Sequence, residues 1–138
     1  MEKWEDTDYT TEAQMPTGGT ASYRGVAEYG DGEVLSSAEM QANFSNATLS
    51  GRLHNFQAQN GTPVAGDVAI HNGAIRGASY SADLSGSLSA AGERAMVSGD
   101  VYGDFSGGNA EIVDGVIDAQ LDSSAGREYI SGQMVLTR

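Results

Sequence analysis

From Thr20 onward apolar and polar residues alternate along most of the chain, and glycine recurs at the centre of the apolar set. The pattern apolar–x–Gly–x–small or apolar occurs at Tyr23-Gly25-Ala27, Leu49-Gly51-Leu53, Val64-Gly66-Val68, Ile75-Gly77-Ser79, Leu84-Gly86-Leu88, Val97-Gly99-Val101, Val113-Gly115-Ile117 and Ile130-Gly132-Met134. A period of two predicts β-strands with one buried face. Glycine in the middle of such a face weakens a strand, so it calls for a geometric reason. A small closed barrel supplies one: its interior is narrow, and glycine lets strongly coiled strands turn.

The alternation predicts eight strands. The first runs over residues 20–29, with Val26 as an exception on its polar side, and ends at Gly30-Asp31-Gly32. After an irregular stretch, Ala38–Phe44 and 47–54 form a hairpin across Ser45-Asn46. A polar loop over 57–62 leads to residues 64–71. The dipeptide Asn72-Gly73 predicts a tight turn into a long strand over 74–89. That strand changes phase near Tyr80, which predicts a β-bulge. Strands over 95–105 and 112–121, joined through Ser106-Gly107-Gly108-Asn109, precede a last strand over 129–137. The expected architecture is an all-β, eight-stranded antiparallel closed barrel over residues 20–138, behind a polar acidic tail or linker over 1–19. The interior glycines favour the barrel over a two-sheet sandwich. Trp4 and Tyr9 in the tail are candidates to dock on the domain.

Composition narrows the function. The 138 residues carry a net charge of −12, which argues against phosphate neutralisation and against an anionic membrane surface. Nucleic acid and membrane insertion are therefore not expected. Nineteen glycines, two prolines and 7% aromatic residues suit a β protein with many turns. The absence of cysteine removes disulfides, thiolate metal sites and thiol nucleophiles. No signal peptide or lipid-anchor cysteine is visible.

Candidate chemistry is sparse. His54 and His71, the two histidines, fall on the polar faces of their strands. The segment Gly103-Asp104-Phe105-Ser106-Gly107-Gly108 departs from the serine-protease nucleophile sequence at Phe105, and a turn explains it better. Asp100 and Asp104 share one outer face and read as solvated. Asn46 and Asn60 begin glycosylation-type triplets. No phosphate loop, dinucleotide fingerprint or calcium loop is present. An enzyme is not expected, nor is a metal or cofactor.

With the glycines inward, the outward residues of the first four strands are mostly polar, whereas the last three strands present Met96, Tyr102, Ile112, Val116, Tyr129 and Val135. Apolar residues on one side of a polar barrel predict a covered or partner-binding face. The loops over 30–37, 55–63 and 104–111 are the other candidates.

These segments carry a resemblance. Gly19-Thr-Ala-Ser-Tyr-Arg-Gly25 resembles the opening strand of the β-barrel domains of transferrin-binding protein B and related bacterial surface lipoproteins. Residues 38–51, Ala-Glu-Met-Gln-Ala-Asn-Phe-Ser-Asn-Ala-Thr-Leu-Ser-Gly, are similar to their second hairpin. Val101-Tyr-Gly103 followed by Asn109-Ala-Glu111 and Gly115 resembles the signature before their penultimate strand. The likeness covers residues 19–138. Val101 replaces the usual phenylalanine, residues 104–108 insert where the family has a proline turn, and Asp114 stands at a usual glycine. The resemblance implies an eight-stranded barrel, a secreted, periplasmic or cell-surface location, and a non-enzymatic role in binding a protein or nutrient-related ligand such as haem. Two further roles follow from other premises: a structural barrel without a ligand, and a haem or small-molecule carrier with Tyr102, Tyr129, His54 or His71 as ligands.

Overall fold

A computed structural model describes residues 15–30 and 32–138; the expected docking of Trp4 and Tyr9 lies outside them. Eight strands follow in order: β1 Thr20–Tyr29, β2 Val34–Asn43, β3 Thr48–Ala58, β4 Val64–Arg76, β5 Ser79–Ala90, β6 Glu93–Ser106, β7 Ile112–Ser123 and β8 Gly126–Thr137. Each pairs antiparallel with the next, and β8 pairs with β1 to close the barrel. Following paired residues round the wall from Ile112 on β7 through Thr137, Arg24, Glu39, Arg52, Ala69, Ser85 and Ser98 returns to β7 at Gln120. The ring fails to close on its starting residue because the strands tilt, as a closed barrel requires.

The inward register holds for seven of the eight glycine triplets. At Gly25 an added Cβ would fall on the carbonyl of Val135 across the β1–β8 seam, and at Gly51 on that of Glu39. Neighbouring backbones approach too closely there for any side chain.

The exception is Gly77, which is not in a strand. The β4–β5 turn lies at Gly77-Ala78, with Arg76 paired to Ser79, rather than at Asn72-Gly73. Gly77 has φ 59°, which suits the first central position of a two-residue hairpin turn. Asn72-Gly73 instead forms a bulge in β4, where the pairing with β5 shifts between His71 and Ala74. The phase change expected near Tyr80 is thus made earlier. Strand β2 begins at Val34, so part of the stretch expected to be irregular is paired.

The two ends of the barrel differ. At the end holding the β2–β3, β4–β5 and β6–β7 connections, Phe105 is completely buried and meets Tyr23, Phe44 and Tyr80 at ring-centre distances of 6.1, 6.0 and 5.9 Å. Tyr23 donates to the Ala110 carbonyl at 2.6 Å, and Tyr80 to that of Asp114 at 2.7 Å, so both hydroxyls are satisfied within the plug. Met15 packs against the barrel core, and Phe44 donates its amide to the Gly19 carbonyl. The segment expected as a turn around Phe105 therefore supplies the central side chain of the plug.

Candidate functional site

The strand register divides the six outward residues expected to form one face into two groups and one marginal residue, Ile112. Tyr102 pairs with Val116, which pairs with Gln133; that row continues to Glu28 on β1 and Leu35 on β2. One step along, Asp114 pairs with Val135 and Val135 with Val26. Tyr102, Val116, Val135, Val26 and Leu35 thus form a diagonal exposed stripe over β6, β7, β8, β1 and β2. Met96, paired with Asp122, and Tyr129, paired with Gln120, stand further towards the opposite end. Ile112 is half-buried at the margin beside Ser106 and Thr137. Val26 and Leu35 are additions to the expected set. Val26 was visible as the break in β1 alternation, whereas Leu35 falls in the stretch not expected to be a strand.

Between the two groups runs an acidic row. Asp83 on β5 pairs with Asp100 on β6, and Asp100 with Asp118 on β7. Directly opposed like charges destabilise a sheet. Tyr102 points its hydroxyl at Asp118, 3.4 Å away, tying the stripe to this row. Beyond the stripe, burial pushes the Asp114 carboxyl above its ordinary range; the Asp104 amide, donating at 3.2 Å, opposes this and the Asp104 charge reinforces it.

The opposite wall is arranged differently. There the row Arg24, Glu39, Arg52 alternates in sign. Arg52 stands 3.7 Å from both Glu39 and Asp67, and His54 lies 2.9 Å from Glu39. Desolvation raises the Glu39 carboxyl, but the His54 hydrogen bond and the arginines outweigh it and hold the group below its usual range. Charges on this wall are matched. On the β5–β7 wall Asp122 is paired with Arg127 at 2.7 Å, but among the described residues no cation forms an ion pair with the Asp83–Asp100–Asp118 row.

The proposed haem ligands are not brought together. His54 is engaged with Glu39 on β2–β3, His71 with Ser85 on β4–β5, Tyr102 with Asp118 on β6–β7, and Tyr129 stands on β8 beside Arg127. Among the described residues no cluster of three or more His, Asp or Glu is arranged to hold a metal. The candidate loops also separate: Gly30, Gly32 and Glu33 lie with 59–63 at one end of the barrel and 106–111 at the other.

A second feature lies inside the barrel. Opposite the aromatic plug the interior opens into a cavity of about 260 Å³. Leu53, Val68, Leu84, Val97 and Ile117 line its depth, and Val64, Leu88, Ala95, Leu121 and Ile130 its mouth. The alternation pattern marks all these residues as inward but cannot say whether they meet across the barrel. The signal available was the uneven distribution of aromatics: Tyr23, Phe44, Tyr80 and Phe105 fall at the far end, whereas Tyr29 and Phe56, with ring centres 5.8 Å apart, line the cavity.

No protein-family model and no curated protein matches the sequence. Solved structures do. A single-residue variant of the vaccine antigen transferrin-binding protein B from Haemophilus parasuis matches with a TM-score of 0.64 at 20% identity, over 94% of this chain and 28% of that one. Intact Ap-TbpB, comprising N and C lobes, matches with a TM-score of 0.63 at 18% identity over the same shares. A double variant of the Haemophilus parasuis protein gives 0.59 at 18% identity, over 94% of this chain and 27% of that one. This chain spans just over a quarter of the length of those proteins. Its fold is that of a transferrin-binding protein B barrel.

Proposed function

We propose that this barrel is a non-enzymatic binding module of a bacterial secreted or cell-surface protein, and that its wall from β5 round to β1 engages a basic protein segment. The carrying observation is the Tyr102–Val116–Val135–Val26 stripe lying beside the directly opposed Asp83, Asp100 and Asp118. An exposed apolar patch flanked by unmatched carboxylates suits a partner with an apolar centre and a lysine- or arginine-rich rim. The barrel's own energetics favour the same reading: the acidic row costs stability that a cationic partner would return. The structural neighbours are named for binding a protein, transferrin, which supports a protein partner for this fold. The neighbouring chains are much longer, so the partner's identity does not follow from them.

The test is positional. A photo-activated cross-linking amino acid is placed at Tyr102 and, separately, at Ser50 on the opposite wall, in cells producing the protein. A discrete adduct from position 102 and none from position 50 is expected. Asp100→Asn should weaken that adduct while raising folding stability by about 0.2–1 kcal/mol, the ordinary scale of a cross-strand charge pair. Equal adducts from both walls, or none from position 102, would overturn the reading.

A further inference from the structure

The cavity opposite the plug uses the inward faces of the strands and is independent of the outer wall. Its lining carries almost no polar chemistry. Away from the mouth the lining's one polar side chain is Tyr29, whose hydroxyl is closed on Ser36 Oγ at 2.8 Å. No buried side-chain nitrogen or oxygen among the described residues lacks a partner. A polar or hydrogen-bonding ligand would therefore lose its water contacts without replacement. A hydrocarbon loses nothing and releases the apolar lining from water.

Size and shape point the same way. An apolar hole of roughly 150 Å³ already takes up benzene, and 260 Å³ falls just below the range of about 300–1,000 Å³ typical of drug-sized ligands. Strand β5 lines it from Leu84 to Ala90, a run of roughly 20 Å at about 3.3 Å per residue, or about 15 Å along the axis at a tilt near 40°. The aromatic plug closes the far end, so a chain enters from the mouth only. Polar groups appear at the mouth, where Glu93, Ser89 and Ser123 border the opening. Glu93 is the single charged residue of the lining, and Glu33 and Glu128 are exposed in the neighbouring hairpins. Of the arginines at the same end, Arg94 shares the outer side of β6 with Met96 and Arg127 is held by Asp122 at 2.7 Å, so an anionic head would meet the carboxylates.

We infer that the open end of the barrel binds the single aliphatic chain of an amphiphile whose head group is uncharged or cationic, with the chain between Leu84, Val97 and Ile117 and the head beside Glu93. The apolar fit sets affinity, and Glu93 discriminates between head groups. The chain can be supplied by a dispersed amphiphile or by a lipid held in a membrane.

The probe is N-phenyl-1-naphthylamine, an uncharged dye that brightens in apolar surroundings, titrated into the full chain and then displaced below micellar concentrations. Saturable binding is expected, with displacement by dodecanol and dodecyltrimethylammonium at concentrations about tenfold lower than by dodecanoate, the scale of one Coulomb contact near a protein surface. Ala95→Trp, at the half-exposed mouth, should abolish dye binding while leaving circular dichroism and the unfolding midpoint near wild type. Glu93→Gln should narrow the gap between dodecanoate and dodecyltrimethylammonium without moving dodecanol. Displacement by free dodecanol assigns a dispersed amphiphile. Sedimentation with phosphatidylcholine vesicles that Ala95→Trp abolishes assigns a membrane-held chain. No saturable dye binding, or binding that Ala95→Trp leaves intact in a folded barrel, overturns the site. Preferential displacement by dodecanoate overturns the head-group assignment.

Discussion

At the scale of single residues most strand glycines let a tilted strand press against its neighbour's backbone, while Gly115 instead leaves room for the Tyr80 hydroxyl. A Cβ at Gly25 would collide with the Val135 carbonyl and the Leu136 Cα, neither of which is a flexible side-chain end able to move aside. Gly73 and Gly103 stand in the same relation to Leu49 and Asp114, although neither was legible as such in the apolar triplets. Alternation reveals that a glycine faces inward, but backbone proximity depends on which strand lies opposite. Gly25→Ala is expected to destabilise the barrel by about 2–4 kcal/mol, the range for overpacking combined with backbone displacement. Gly108→Ala is its control. Nothing lies within 4 Å of a Cβ there and φ is not positive, so its unfolding midpoint should stay within about 0.5 kcal/mol of wild type. Urea denaturation of the two variants measures both. Similar losses in the two would show that backbone freedom, rather than contact across strands, is what the glycines supply.

At the scale of elements, the β4–β5 hairpin shows where local signals yield to the core. Asn-Gly is the strongest short hairpin signal, and a turn at Asn72-Gly73 would set Ile70 opposite Ile75. Continued without a bulge, that register turns Ser79, Ser81, Asp83 and Ser85 inward and Tyr80, Ala82 and Leu84 out to solvent. The observed register pairs Ile70 with Leu84 and buries Tyr80, Ala82 and Leu84. Three buried side chains, each stabilising by on the order of 1–3 kcal/mol, outweigh one favourable turn dipeptide. The sequence therefore made the strands and their faces legible, and even the need for a bulge. It did not reveal where the bulge sat, because that is decided across the barrel. The same limit hid the cavity and divided the six-residue face. Gly77→Val should lower stability by about 1–2 kcal/mol, since its left-handed φ of 59° is costly for a β-branched residue. A turn at Asn72-Gly73 would leave Gly77 in a strand, where valine is favourable. A stabilised Gly77→Val protein in thermal unfolding would contradict the hairpin described above.

At the scale of the whole molecule, ionisable groups are sorted by face, and the buried tyrosines predict how the fold responds to alkali. Tyr23, Tyr29 and Tyr80 all point inward. Burial raises each above the ordinary phenol range. Tyr29 is pushed to about 12, with its Ser36 hydrogen bond partly opposing the shift. Tyr23 is raised by burial against the pull of Arg138, and Tyr80 by burial together with the Asp114 and Asp104 charges. In the unfolded chain these phenols ionise near pH 10. Above that pH the unfolded state has released protons that the folded state still holds, so stability falls as pH rises. The contribution is complete below about pH 10 and is lost as pH climbs through the folded value. For Tyr29 alone the loss should be roughly 2–3 kcal/mol between pH 10 and 12. Urea midpoints measured from pH 8 to 12 should therefore be level up to about pH 10 and then drop steeply. Phenolate absorbance from the buried rings should rise together with the loss of β-sheet dichroism. Tyr29→Phe leaves Ser36 without its partner, which costs about 1 kcal/mol at pH 8, yet it removes one of the three titrating groups. Its stability curve should start lower and fall less steeply than that of the wild type. A wild-type curve that stayed flat to pH 12 would mean that the barrel interior admits enough water to ionise its tyrosines without unfolding.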